Sequence, residues 1–491
     1  MTHPPQRLPH ISRDPVTIFW NGTPVRGLNG DTIAATLYSQ GFHDFTRSRK
    51  FHHPRGLSGS FTAGHLASVQ GLPHCRLDRV DTTDGLHVEM ENVWPSSKVD
   101  LLNVARLIPR KMVRAGFEHP RFIPDGSVAW RLWEKLLWTI AGEAHPPAPD
   151  GGSAIAGRRM ACDTLVIGGG PAGLEAARSA TGDVVLVTRS RDLGGMAFGT
   201  DAVSQKLPDT VTVLSDHEVY GLFDHGRIAM AAANDPEQPG VLIEAGQVIL
   251  ATGQRSVPPL VSGAALPGVL DARTALHLAA RHGVVPGRQV VVIGTPAGRK
   301  VADRLSALGC TIVDFIDVTQ VDRIEGRASV SAVRVGGRRL ACDAIVHAGP
   351  WRSDPSLPFQ AGADGDLRLM AGALPDHVTL AGSCATPDEP ISFGRALDRR
   401  ALVCPCMDVT VDEILDMVDS GISHVEELKR RTTCGMGTCQ GVPCWDYLAA
   451  VVAQATGRSV AQIGHPTHRP PRAALTIGQA AGLVDVTEVD P

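Results

Sequence analysis

The sequence predicts an α/β chain built on two nested Rossmann-type domains, the second inserted into the first. Three observations predict it. Thr164-Leu165-Val166-Ile167 runs directly into GGGPAGLEAARSA, which reads as strand, glycine turn and helix. Val290-Val291-Val292-Ile293 followed by GTPAGRKVADRL repeats that order. The apolar run Val248-Ile249-Leu250-Ala251-Thr252-Gly253 lies between them, and Val378-Thr379-Leu380-Ala381-Gly382 follows, so strands of the first sheet bracket the second unit.

The elements before and after this pair read in order. Val16 to Trp20 alternates like a strand, Asn21-Gly22 is a hairpin turn, and Val25 to Leu28 pairs back. Thr32 to Leu37 begins a helix with Asp31 as its expected cap. Residues 1–110 are therefore expected to form a β-grasp, ferredoxin-like domain. From Val93 to Ile140 the pattern turns helical and Trp-rich (Trp94, Trp130, Trp133, Trp138), and Gly142–Gly157 is rich in Pro and Gly. That makes 111–157 a helical connector and linker. The first Rossmann domain is expected at 158–280 plus 366–400, the inserted one at 281–365, a small cysteine-bearing helical domain at 401–455, and a C-terminal tail at 456–491.

The totals exclude several classes. The chain has 491 residues, too many for one core. With 43% hydrophobic and 20% charged residues it has an ordinary globular composition. A net charge of −4 argues neither for nucleic acid nor for an anionic membrane surface. The start, MTHPPQRLPHISRD, has no apolar run behind its basic residues, and no stretch reaches the roughly 18 apolar residues of a membrane span. A cytoplasmic location is the expectation.

Gly168, Gly170 and Gly173 form G-x-G-x-x-G between a strand and a helix. The first permits the tight turn, the second lets a pyrophosphate approach, and the third lets helix and strand pack. Phosphates would then sit at a helix start, where the dipole is equivalent to about +0.5 charge; Pro171 and Ala172 complete that turn. The strand Val184–Val187 ends in Thr188 and Arg189, where an acid for ribose hydroxyls is expected. A threonine hydroxyl bonds a ribose more weakly than a carboxylate; Arg189 reads equally as a phosphate contact or a solvated arginine. Gly195, Thr252, Gly253 and Gly382 are the remaining candidates around a nucleotide. In the second turn, Pro296 removes an amide and Arg299 stands where a small residue is expected, so the reading is a retained fold whose NAD(P)H site matches the fingerprint poorly, with a working site left open.

The ten cysteines are unevenly placed. Cys75, Cys162, Cys310, Cys342 and Cys384 are scattered and read as small buried hydrophobes. Cys404, Cys406, Cys434, Cys439 and Cys444 cluster in VCPCMDV and RTTCGMGTCQGVPC, separated by two amphipathic helices over Val411–Val418 and Val425–Lys429. Four thiolates suit zinc or an iron–sulfur cluster. The C-x-C pair and the glycine-rich loop favour an exposed iron–sulfur cluster, because glycine amides can bond the sulfurs. A vestigial site is the remaining alternative.

CPCMDVT followed by TTCGMGTCQGVPC resembles the bacterioferritin-associated-ferredoxin type of [2Fe–2S] domain. GDTIAATLYSQG, TRSRKFHHPRG, DGLHVEMENVWPSSKVDLLNV and GGGPAGLEAA resemble the alpha subunit of heterotetrameric sarcosine oxidase. The whole is similar to alpha subunits of opine oxidase, hydrogen cyanide synthase and dye-linked proline or hydroxyproline dehydrogenases. The resemblance implies glutathione-reductase-like nested domains and a [2Fe–2S] cluster on Cys404, Cys406, Cys439 and Cys444, with Cys434 a neighbour. It also implies FAD, or in some relatives NAD or ATP, at the first Rossmann site. A partner beta subunit with its own FAD would oxidise the amine, with FMN at the interface and a further small subunit in some complexes. The sequence departs from that pattern in two places: Cys75 alone cannot hold a cluster in the amino-terminal domain, and Ala381-Gly382-Ser383 replaces the usual Ala-Gly-Asp. No catalytic acid–base or nucleophile pair is read in this chain. The rival readings are a self-sufficient NAD(P)H-dependent flavoprotein reductase and a non-redox scaffold with a structural nucleotide.

Overall fold

In a computed structural model of the chain, the described residues are 7–8, 11–58, 66–107, 110, 127–141, 156–200, 203, 206–235, 238–362, 374–393, 397–473 and 475–483. The expected linker lies outside them except for residues 156 and 157. The chain divides into two compact units. One comprises 1–148, 256–350 and 390–466; the other comprises 149–255, 351–389 and 467–491.

The first unit opens with a mixed five-stranded sheet in the order Thr23–Leu28, Pro15–Trp20, His87–Glu89, Leu66–Val69, Leu72–Arg76. Asn21 and Gly22 both take positive φ, +48° and +75°, which suits the tight hairpin between the first two strands. Phe19 and Trp20 pair in parallel with His87 and Val88, closing the β-grasp. Its helix, Ile33–Ser39, is buried throughout. The cap of that helix is Thr32, whose hydroxyl accepts from the Ala35 amide at 3.2 Å, and not Asp31 as expected. Asp31 is committed elsewhere: it pairs with Arg7 at 2.5 Å and His282 at 3.1 Å.

The inserted domain is a parallel sheet in the order Val269–Asp271, Ala344–Ala348, Val290–Gly294, Ile312–Asp317. It starts earlier than the expected residue 281. The strand Val269–Asp271 and the helix Ala272–His282 are one crossover, and Asp271 caps that helix by accepting from Thr274. No glycine fingerprint marks this crossover, so the sequence boundary fell too late. The cysteine-bearing domain begins with the hairpin Leu402–Cys404 and Val409–Thr410. Helix Val411–Asp419 carries a Thr410/Glu413 capping box, and helices Val425–Thr432 and Cys444–Thr456 follow. A single core joins Val403, Ile414, Leu428, Trp445 and Val451 with the cysteines.

The second unit holds the first Rossmann sheet, in the order Val211–Leu214, Val184–Val187, Arg158–Ile167, Gly240–Leu250, Ile228–Ala233, His217–Phe223, with Val378–Leu380 also pairing Gly240–Leu250. The first strands of that order run parallel, and the last three form an antiparallel meander. Residues 467–483 of the expected tail are part of this unit: Arg472 bonds Glu218 at 3.1 Å and pairs with Asp354, while Gln479 donates to the Ala233 and Asp235 carbonyls. Among the described residues no helix is long and apolar enough to cross a membrane.

Candidate cysteine cluster and nucleotide turn

Each cluster cysteine is placed by a different local device. Cys404 ends a strand, Cys406 sits in the hairpin turn, and Cys444 opens the helix Cys444–Thr456. Cys434 and Cys439 lie in the glycine loop after helix Val425–Thr432, which stops at Thr433 with φ +63°. The glycines of that loop answer to contact. A Cβ on Gly435 would lie 1.8 Å from Trp445 Nε1, one on Gly441 2.1 Å from Trp445 Cε2, and one on Gly437 2.6 Å from Cys406 Cβ. The loop thus wraps the Trp445 ring and the C-x-C turn, with glycine wherever a side chain would collide.

All five sulfurs are buried, in place of the exposed arrangement expected from the glycine loop. The Sγ atoms of Cys404, Cys434 and Cys444 lie within 4.8 Å of one another, and Cys406 and Cys439 approach to 3.1 Å. The structure therefore brings together the four residues expected as ligands, and it also places Cys434 beside Cys404 and Cys444. The neighbouring Cys406, Cys434 and Cys444 thiols, together with the Gly435 amide, hold the Cys404 thiol well below its ordinary range. Cys439 is held low by Cys406, Cys444 and the Gly441 amide. The Gly435 N–H donates to Cys404 Sγ at 3.4 Å. A sulfur-only donor set with amides aimed at sulfur fits an iron–sulfur cluster. Among the remaining cysteines, burial pushes the Cys75, Cys162 and Cys310 thiols up to about 11 and Cys342 up to about 12, so these stay protonated.

The β-grasp domain contributes a shell that motif reading did not single out. The Arg55 guanidinium donates to Asp408 Oδ1 at 2.6 Å and to the Pro405 carbonyl, between two cluster cysteines, at 3.1 Å. Asp408 takes φ +53° and also accepts from the Phe51 amide at 3.0 Å. The Lys50 ammonium donates to the Thr432 carbonyl at 3.2 Å. Burial pushes the Lys50 pKa down, and Glu413, Asp408, Cys404 and Cys434 push it back up. The stretches quoted for the resemblance, TRSRKFHHPRG and CPCMDVT, held these residues, but their mutual contact is a tertiary fact.

In the second unit the glycine turn separates packing glycines from an open one. A Cβ on Gly168 would lie 2.3 Å from the Ala251 carbonyl oxygen, and one on Gly173 would lie 1.8 Å from the Gly168 carbonyl oxygen. A Cβ on Gly170 would meet nothing within 4 Å. Gly170 is the N-cap of helix Pro171–Ser179, with Pro171 in the first turn and no side-chain cap. Gly382, at φ +73°, approaches Ala172, and Gly195, at φ +55°, approaches Gly170. Thr252 N stands 3.2 Å from the position of a Gly168 Cβ, and Gly253 follows it at φ +70°. Thr188 is buried against Gly169, while Arg189 is half-buried and its carbonyl accepts from Asn234. The open space over Gly170, bounded by uncapped helix amides, is the cradle a phosphate group fits.

The second glycine turn contrasts with it. Cβ atoms on Gly294 and Gly298 would lie 2.2 and 1.9 Å from the Ala348 carbonyl oxygen, so both glycines serve strand–helix packing. Arg299 is stacked over Phe315 at 4.4 Å within its own domain.

Comparison with known proteins adds three family models. The sarcosine oxidase A3 domain matches residues 398–483, a pyridine nucleotide-disulphide oxidoreductase domain matches 162–335, and a 2Fe-2S iron-sulfur cluster binding domain matches 13–92. The last span holds Cys75 as its single cysteine. The alpha subunit of sarcosine oxidase from Rhizobium meliloti (strain 1021) is 26% identical over 577 aligned positions, covering 95% of this chain and 58% of the relative. One opine oxidase subunit of the same strain is 34% identical over 84 positions, 17% of this chain and 18% of the relative. This chain spans less than two thirds of the length of these curated relatives. The crystal structure of L-proline dehydrogenase from P. horikoshii aligns with TM-score 0.73 at 22% identity, covering 98% of this chain and 99% of that one, which shows the shared fold.

Proposed function

We propose that this chain, which is similar to the alpha subunit of sarcosine oxidase over 95% of its length, is the electron-transferring alpha subunit of a multi-subunit flavin-dependent amine or amino-acid oxidase or dehydrogenase. The substrate class is sarcosine-, opine- or proline-like, and its oxidation belongs to the FAD of a partner beta subunit. The observation that carries the reading is the buried group of five thiols gathered by the C-x-C hairpin and the glycine loop.

Cys404, Cys406, Cys439 and Cys444 are assigned as ligands, with Cys434 beside them. A [2Fe–2S] group on those sulfurs would take up and release one electron at a time. The Gly435 amide stabilises sulfur charge through its bond to Cys404. Trp445, whose indole N–H donates to the Cys434 carbonyl, packs over the loop and excludes water. At the first Rossmann site, Gly170 and the start of helix Pro171–Ser179 would hold the phosphates of FAD or of another adenine nucleotide, ATP or NAD. Thr188 would be the hydroxyl partner where an acid is missing. Tight glycine packing in the second turn, with Arg299 committed to Phe315, counts against a self-sufficient NAD(P)H reductase.

The test is an absorption spectrum of the anaerobically purified protein before and after dithionite, with iron and nucleotide determined on the same sample. Red-brown absorption that bleaches, together with co-elution of a FAD-bearing subunit from the native host, is the expected outcome. A colourless, iron-free protein, or a lone chain active with NAD(P)H, would sink the proposal.

A further inference from the structure

The amino-terminal β-grasp domain has no cysteine set of its own, yet it places a buried cation against the cysteine cluster. Lys50 is 7% exposed, and the hydrogen bond of its ammonium goes to the carbonyl of Thr432, two residues before Cys434. Cys404 and Cys434 are among the groups acting on its charge, with Glu413 and Asp408. Those two carboxylates have nearer partners. Asp408 is in contact with Arg55 at 2.6 Å, and Glu413 meets Arg110 at 3.3 Å and closes its own helix cap. Arg55 is therefore matched at contact by a carboxylate, while the bond Lys50 makes is to a neutral oxygen. Burying an ammonium costs several kcal/mol unless negative charge offsets it. Glu413 and Asp408 offset that cost, and Cys404 and Cys434 add to them.

We propose that Lys50 is a tuning residue for the cluster: a fixed positive charge, supplied by the β-grasp domain, that raises the potential at which the cysteine-held group accepts an electron. The inference rests on the reading of Cys404–Cys444 as the [2Fe–2S] site. The step concerned makes and breaks no bond. An electron supplied by a reduced flavin, which would be oxidised in the exchange, would make a group held by these cysteines one unit more negative. A nearby ammonium in a low-dielectric setting stabilises the more negative state.

The experiment is a spectroelectrochemical titration of the purified complex, comparing wild type with Lys50→Met, Lys50→Arg and Glu413→Gln, with iron measured for each. Lys50→Met should lower the reduced-to-oxidised ratio at a fixed potential by about tenfold, equivalent to about 59 mV for a one-electron couple. Lys50→Arg, which keeps the charge, should stay within about twofold of wild type. Glu413→Gln removes an opposing charge while keeping a capping-box side chain, and should move the ratio the other way. Full iron content with an unchanged ratio in Lys50→Met overturns the inference. If Lys50→Met fails to retain iron, Lys50→Gln, which also removes the charge but keeps a polar side chain, decides: a lowered ratio supports the proposal and an unchanged one overturns it. Wild-type protein without iron would instead remove the cluster reading on which the inference rests.

Discussion

Exchanging Gly170 and Gly173 for alanine, one at a time, should separate ligand binding from folding within a single turn. At Gly173 an added methyl would stand 1.8 Å from the Gly168 carbonyl oxygen and 3.3 Å from Ala251 Cβ, so helix Pro171–Ser179 must move off its sheet. Such overpacking costs about 1–3 kcal/mol, and the better helix propensity of alanine returns about 1 kcal/mol. The net expectation is a loss of about 0–2 kcal/mol from the second unit, toward the upper end because the clash is with backbone. At Gly170 the methyl meets nothing within 4 Å, and φ −78°, ψ 178° is open to alanine. The poorer N-cap and the stiffer unfolded chain are each worth about 0.5–1 kcal/mol and oppose each other, so stability should hold within about 0.5 kcal/mol. The methyl does occupy the approach to the phosphates, and a tenfold weaker nucleotide affinity, about 1.4 kcal/mol, is expected. Hydrogen exchange of the strand Arg158–Ile167 reads the stability, and nucleotide released on denaturation reads the binding. Wild-type nucleotide content in Gly170→Ala would refute the placement of phosphates over this turn. Undiminished exchange protection in Gly173→Ala would refute the packing argument.

The other expectations concern the cluster and two buried charges. Cys406→Ser should lose iron and visible absorption while Cys434→Ser keeps both; iron loss in Cys434→Ser would put that residue in the ligand set. Asp354→Asn should cost the second unit about 2 kcal/mol, because Arg472 would then keep Glu218 alone as its carboxylate partner. Burial raises the Asp354 pKa, but Arg472 and Arg255 outweigh it and hold the carboxyl well below its usual range. A depressed carboxylate stabilises above its unfolded pKa of about 4, and that contribution fades as acid is added, so wild type and Asp354→Asn should converge in stability at low pH. In the inserted domain, burial pushes His347 down to about 4. The folded state then binds fewer protons than the unfolded one, and stability should fall by roughly 1.4 kcal/mol per unit as pH drops from about 6.5 toward 4. Denaturation midpoints of His347→Gln that show the same pH slope as wild type would contradict this.

Local chemistry alone determined a good deal of this protein. Strand–glycine–helix order marked both Rossmann cores, because a tight turn and a close helix approach demand glycine at fixed spacing. Asn21-Gly22 marked its hairpin because few residues tolerate positive φ. The C-x-C pair and the glycine loop pointed to a thiophilic site because the spacing itself limits what the sulfurs can reach. Tertiary structure decided what depends on residues far apart in the chain. Asp31 was drawn from its cap by Arg7 and His282, and Thr32 took over the Ala35 amide. The inserted sheet gained Val269–Asp271, whose pairing with Ala344–Ala348 no local pattern announces. Glycines that look alike in sequence parted company, Gly170 facing open space and Gly298 pressed on Ala348, since only packing tells a ligand approach from a helix contact. The cationic shell of Lys50 and Arg55 around the cysteines was invisible to any motif, because charge acts through space and the partners lie more than three hundred residues away along the chain.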